Sequence, residues 1–364
     1  MAAILVAFTT LGVMACGAGN SETAEKAVKE ETAADVAESG SAVSAEVEET
    51  SEKAEEEETA SKDSKTEAAE EEKETKVKNP ITWYMDEEGV KSDILGMNIN
   101  KENTVLGEIQ LFENLGVRFG NRTEQHVFNC DYYEGDMESY LAENDHMTKD
   151  KIGEIEYAYG ESWGSWDVVF IGNGVKISTY IFGDDLEGNQ SVGDFLSSMN
   201  VVTKYDEFQK DCLAYITVDG LYCPALGLSF SCEGSKNVVN NIGVKCSNAD
   251  FSAYMTIGDE STNGMGIMYY MADANTAQEV VDKYVEGAIE PSEYKTVEQA
   301  EIEGTVEVNL GNYKFLGRGV TTKNDFINNE DWLFYSDDAT WSVSVSYEAG
   351  NHYENYLSVI EKLN

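Results

Sequence analysis

From Trp83 onward the chain is organised by short apolar alternations broken by Gly, Asn and Asp. Leu226-Gly227-Leu228-Ser229-Phe230-Ser231-Cys232 places an apolar residue at every second position, the period of a strand with one buried face. Segments 81–85, 127–133, 155–159, 166–171, 175–182, 266–271, 332–335 and 341–347 also read as strands. Four stretches carry helical spacing instead: Met137, Tyr140 and Leu141; Val192, Phe195, Leu196 and Met199; Ala277, Val280, Val281, Tyr284, Val285 and Ala288; and Tyr353, Tyr356, Leu357 and Ile360. Ser191 with Asp194, Asn275 with Gln278, and Asn351 with Glu354 have the spacing of helix caps. Val218-Asp219-Gly220-Leu221 predicts a hairpin, because Asp-Gly tolerates the positive φ of a tight turn.

The elements recur in order. Pro80 and Pro224 each precede a first strand, where a missing N–H can fall outside the ladder. A strand and a helix follow, then a Trp-led strand pair (Trp166, Trp332) and a closing helix. The expected fold is therefore α+β: two tandem units, 80–203 and 222–364, each an antiparallel sheet covered by helices, joined by a connecting segment with a hairpin at 204–221. One larger sheet with similar halves is the alternative. The order in the second unit, over about 140 residues, resembles the PsbP-type α/β/α sandwiches. That family mixes binding, assembly and regulatory roles, and the resemblance implies no catalytic residues.

Residues 2–15 are apolar or small, a length that suits a signal peptide and is short for a membrane span. Val13-Met14-Ala15-Cys16 resembles the lipobox of bacterial lipoproteins. The resemblance implies cleavage of a signal peptide, residues 1–15, and a diacylglycerol thioether on Cys16. The chain would then be anchored to the cell membrane by lipid, facing outside the cytoplasm. Residues 16–79 follow as an acidic linker, with 20 acidic and 8 basic side chains between Gly17 and Asn79 and no aromatic. Such a composition cannot bury enough apolar surface to offset chain entropy, so a disordered tether spanning roughly 45 Å is expected.

Charge narrows the partners. The formal charge is −44, and 49 acidic against 17 basic residues remain outside the linker. Nucleic acid is excluded as a partner, since it demands a basic footprint. Docking on anionic lipid is disfavoured for the same reason.

Candidate chemistry is sparse. Gly160-Glu161-Ser162-Trp163-Gly164 matches the nucleophile elbow G-x-S-x-G, which requires a strand, a sharp turn and a helix. Residues 166–171 read as a strand instead, and His352 is the one histidine downstream, so a Gly-rich hairpin loop is preferred to a hydrolase using Ser162. His126, His146 and His352 have no His or Cys neighbour at zinc-site spacing. No phosphate-loop or dinucleotide glycine pattern occurs, and no cofactor or metal is expected. The acidic loops 183–189 and 324–331 offer oxygen ligands of the kind calcium takes, without EF-hand spacing. Five cysteines follow Cys16: Cys130, Cys212, Cys223, Cys232 and Cys246. Cys232 and Cys246 flank a hairpin and could pair across it in an oxidising compartment; buried free thiols on strands are the equal or better reading. Trp83, Tyr84, Trp163, Trp166, Trp332 and Trp341 either fill a core or form a row that binds glycan or peptide, the core being preferred. The expected function is a non-catalytic cell-surface module that binds a ligand or an extracytoplasmic protein, peptide or glycan. An extracytoplasmic serine hydrolase and an envelope assembly factor are the alternatives.

Overall fold

Strands dominate the described part of the chain, and most are hairpin-linked. The computed structural model describes residues 79–103, 107–119, 122–186, 188–198, 201–203, 207–231, 239–247, 264–269, 276–291, 295, 297–325 and 327–363. The signal peptide, Cys16, the linker up to residue 78 and Cys232 all lie outside these residues.

The first ten strands are β1 (Trp83–Met85), β2 (Gly89–Ser92), β3 (Met97–Asn100), β4 (Glu108–Phe119), β5 (Arg122–Tyr132), β6 (Thr148–Ile152), β7 (Ile155–Ser162), β8 (Ser165–Gly172), β9 (Val175–Phe182) and β10 (Val201–Thr203). Helix α1 (Met137–Glu143) follows β5 and α2 (Val192–Ser198) follows β9. The next ten are β11 (Ala214–Thr217), β12 (Gly220–Cys223), β13 (Leu228–Ser231), β14 (Val239–Ser247), β15 (Gly264–Tyr269), β16 (Glu298–Leu310), β17 (Tyr313–Lys323), β18 (Asn328–Ser336), β19 (Trp341–Glu348) and β20 (Glu361–Lys362). Helix α3 (Ala277–Ile289) follows β15 and α4 (Tyr353–Leu357) follows β19.

These strands make two antiparallel sheets. One runs β10-β13-β12-β11-β1-β2-β3-β20 and the other β16-β17-β18-β19-β15-β14-β4-β5-β9-β8-β7-β6. Matching β1–β10 with β11–β20, each order reads the same from either end. The central pairs are β1 with β11 and β4 with β14. The last strand of each series crosses over, β10 onto β13 and β20 onto β3.

The expected α+β class, with each unit a sheet under its own helices, is therefore wrong. The chain is mainly β, its sheets are shared by both halves, and each sheet buries one face against the other. Trp83, Met85, Ile216 and Phe230 of the small sheet share one core with Leu111, Phe128, Phe170 and Phe334 of the large one. Alternation explains how: along β9 Val175, Ile177, Thr179 and Ile181 are buried while the residues between them are not. In β8 both faces are buried, which is why Val168 to Ile171 is continuously apolar. Val168 and Phe170 enter the inter-sheet core, whereas Val169 and Ile171 meet Met137 of α1 on the other face. Helix α3 covers the same outer face elsewhere, setting Val281 and Val285 on Val320, Leu333 and Tyr335.

Local chemistry fixes the helix starts. Thr276 caps α3 by accepting from the Glu279 amide at 3.2 Å, and Glu279 returns the bond to the Thr276 amide at 3.1 Å. The cap is thus one residue later than the Asn275–Gln278 spacing predicts. Ser191 and Asp194 do form the reciprocal pair at α2, at 3.1 and 3.4 Å. The β11–β12 turn sits on Val218-Asp219, with Thr217 opposite Gly220.

Candidate functional site: an exposed tryptophan on a strained turn

Two successive hairpins define the site. Strands β8 and β9 turn through Asn173-Gly174, with Gly172 opposite Val175 and φ of 49° and 87° at the two central residues. Strands β7 and β8 turn through Trp163-Gly164, with Ser162 opposite Ser165 and φ of 50° and 82°. Both have the positive φ pair of the type I′ turn, whose first position suits Asn, Asp or Gly. The second hairpin follows the rule; the first places Trp there. A bulky residue in the left-handed region is strained. The turn also aims the indole outward, leaving Trp163 90% exposed.

The tip has neighbours. Phe182, at the end of β9, pairs with Ser165 and is 42% exposed. Its ring meets Tyr180 edge-on at 5.0 Å. The Gly183 amide donates to the Gly164 carbonyl at 2.9 Å, tying the turn to the segment after β9. Glu161 and Asp184 are exposed at the border, giving it an acidic rim.

Beneath this surface the support is buried and polar. Asp185 accepts from the Phe182 amide at 3.2 Å and lies 3.8 Å from His126 Nε2. His126 Nδ1 lies 3.4 Å from the Tyr180 carbonyl, and the imidazole packs edge-on against Phe195 of α2 at 5.4 Å. His126 and Asp185 thus hold β5, β9 and α2 together under the tip.

The sequence candidates fall elsewhere or change role. Ser162 ends a strand that turns into another strand, so the helix an elbow requires is replaced by β8. Its carbonyl accepts from the Ser165 hydroxyl at 2.8 Å. His352 is exposed at the N-cap of α4, and His146 is also exposed. In the first acidic loop Asp185 turns inward to His126. In the second, residues 328–331 belong to β18, where Asp331 accepts from Ser346 at 2.6 Å and Glu330 from Tyr347 at 2.8 Å. No group of three or more metal-donor side chains gathers among the described residues. Trp83, Tyr84, Trp332 and Trp341 are core residues, and Trp166 is half-buried, which leaves Trp163 alone of that set in solvent. Cys246 is a buried free thiol, pushed up to about 12 by burial.

Sequence reasoning missed two buried carboxyls. Glu113, on β4, is fully enclosed between the sheets. Burial pushes it well above the usual carboxylate range, Asp219 adds to this, and the Leu221 amide opposes it. Asp131, on β5, is pushed up to about 6 by burial, against the pull of the Lys176 ammonium at 3.3 Å. Glu113 continues the inward series Ile109 and Leu111 on β4, a signal that marks a buried polar position, whereas Asp131 alternates with Cys130 and reads as an outward one.

No protein-family model matches the chain, and no curated protein matches it. Solved structures align weakly. The immunity protein TplEi of the type VI secretion system (T6SS) of Pseudomonas aeruginosa, in its apo form, gives a TM-score of 0.28 at 9% identity, covering 74% of this chain and 89% of its own. The same protein complexed with "L" peptide gives 0.30 at 11%, covering 78% and 99%. The Tle4–Tli4 complex gives 0.29 at 10%, covering 75% and 88%. Likeness at this level carries no argument about this chain.

Proposed function

We propose that this chain is a non-catalytic protein-interaction module, held at the outer face of the cell membrane by lipid on Cys16, and that the Trp163 tip is its contact point. The observation that carries the reading is the hairpin itself: a tryptophan occupies a strained turn position where Asn would fit, and is delivered to solvent. Trp is the residue type most enriched among interface positions that dominate binding energy. Phe182 extends the apolar surface, and Glu161 and Asp184 set a border that suits a partner pocket rimmed by Lys or Arg. The lipobox resemblance and the acidic linker support a surface location with reach from the membrane.

The test places a photo-crosslinking aromatic residue at position 163 of the full chain in its own cells, with positions 218 and 289 as exposed controls. A discrete protein adduct from 163 and not from the controls is expected. Adducts of equal yield from all three positions, or glycan adducts alone, would overturn the protein-partner reading. Separately, Cys16→Ala is expected to move the chain from the membrane to the soluble fraction; retention in the membrane refutes the anchor.

A further inference from the structure

Two buried thiols face each other across the sheets. Phe128 and Cys130 share one face of β5, two residues apart, and that face lies on the small sheet: the Phe128 ring packs 4.3 Å from Phe230 of β13. On β13, Leu228 shares the face of Phe230 and pairs directly with Cys223 of β12. One step along β5 and one step from β13 to β12 therefore bring Cys130 onto Cys223. The two thiols share a side-chain hydrogen bond, and both are fully enclosed. Each is a free thiol in this structure. Cys223 Sγ also donates to the Leu213 carbonyl at 3.4 Å, which fixes its direction. Cys212 lies nearby but is only half-buried, beside Tyr84, Tyr215 and Tyr222 on the outer side of the small sheet.

We infer that Cys130 and Cys223 are a disulfide-forming pair that joins the two sheets covalently in an oxidising compartment. The step needs a disulfide oxidant, such as glutathione disulfide or a dithiol–disulfide exchange protein. One cysteine thiolate attacks a sulfur of the oxidant and expels one thiol. The second thiolate attacks the mixed disulfide and expels the other thiol. Two protein S–H groups give one S–S bond, and the two electrons and two protons end on the oxidant's thiols. Because the folded pair is enclosed, and the hydrogen bond with Cys223 together with burial raises the Cys130 thiol, exchange proceeds while the sheets are still closing. Formation in the cell rests on the surface location proposed above; formation in the test tube does not.

The experiment refolds the full chain from its reduced, unfolded state with glutathione disulfide, alkylates remaining thiols and maps linked peptides by mass spectrometry. A Cys130–Cys223 linkage is expected as the main product, with a higher Tm than the reduced protein. That Tm difference is expected to vanish in Cys130→Ala and in Cys223→Ala, and to survive in Cys246→Ala. A folded, oxidised protein in which both cysteines still accept alkylating reagent would overturn the inference, as would Cys223 linked to Cys212. A pair that closes in the test tube but is recovered reduced from cells would instead refute the surface location.

Discussion

Replacing Trp163 by Asn should move stability and binding in opposite directions. The left-handed backbone costs a bulky residue about 1–2 kcal/mol, and Asn visits this region far more readily. Against this stands the little burial Trp163 has. At 90% exposure it hides about a tenth of a side chain of about 250 Å², some 25 Å². At about 25 cal/mol per Å² that is worth about 0.6 kcal/mol. The net expectation is a gain of about 0.5–1.5 kcal/mol, a rise of a few degrees in Tm. Partner binding should weaken by about 2 kcal/mol or more, roughly thirtyfold in Kd, as for a central interface tryptophan. Thermal and urea melts measure the first effect, and titration with the partner trapped from position 163 measures the second. A Trp163→Asn protein that is less stable than wild type, or that binds with unchanged Kd, refutes the argument that the indole is there for a partner.

Three further outcomes follow from the core. Asp131 is raised from 3.8 to about 6 in the folded chain, so its stabilising contribution is complete below pH 4 and is lost as the pH climbs through 6. Asp131→Asn should remove about 3 kcal/mol of that pH dependence, read from urea midpoints between pH 4 and 7; an unchanged profile rejects it. Glu113 is likewise held protonated in the fold, so Glu113→Gln should gain on wild type as pH rises above the ordinary carboxylate range. The gain is up to about 1.4 kcal/mol per pH unit, and a mutant that loses ground on the same titration counts against the buried neutral acid. Phe230→Ala removes the ring that meets Phe128 at 4.3 Å and Phe170 at 5.6 Å, and should cost about 3–5 kcal/mol by chemical denaturation; a cost below 1 would mean that the sheets are not packed through this residue.

Individual strands were legible because a buried face leaves a period of two, as in Val175, Ile177 and Ile181 of β9. What covers that face was not legible. Phe128 reads the same whether it meets a helix or, as here, Phe230 of a second sheet, and that ambiguity turned sheet-on-sheet packing into an expected α+β fold. Edge strands were missed for the opposite reason: β16 carries Glu298, Glu301, Glu303 and Glu307 in the open, so its apolar alternation is weak. At the site, Asn173-Gly174 is the familiar signature of a tight hairpin, while Trp163-Gly164 adopts the same φ signs with a residue no turn rule selects. Composition alone therefore groups Trp163 with core aromatics that it resembles in nothing else. The pairing of Cys130 with Cys223 depends on register between two sheets, which spacing along the chain does not encode.

The exchange of terminal strands has a consequence in time. The outer edge of β3 is completed by β20, and Asn98 bonds Glu361 across a separation of 263 residues. Synthesis delivers β3 long before β20, so in the interval β3 has an open edge that no described strand between them closes. Contacts of such long separation form slowly, and an open edge in the interval invites pairing with other chains. A protein of this topology would therefore depend on being kept unfolded, or shielded, until β20 has emerged.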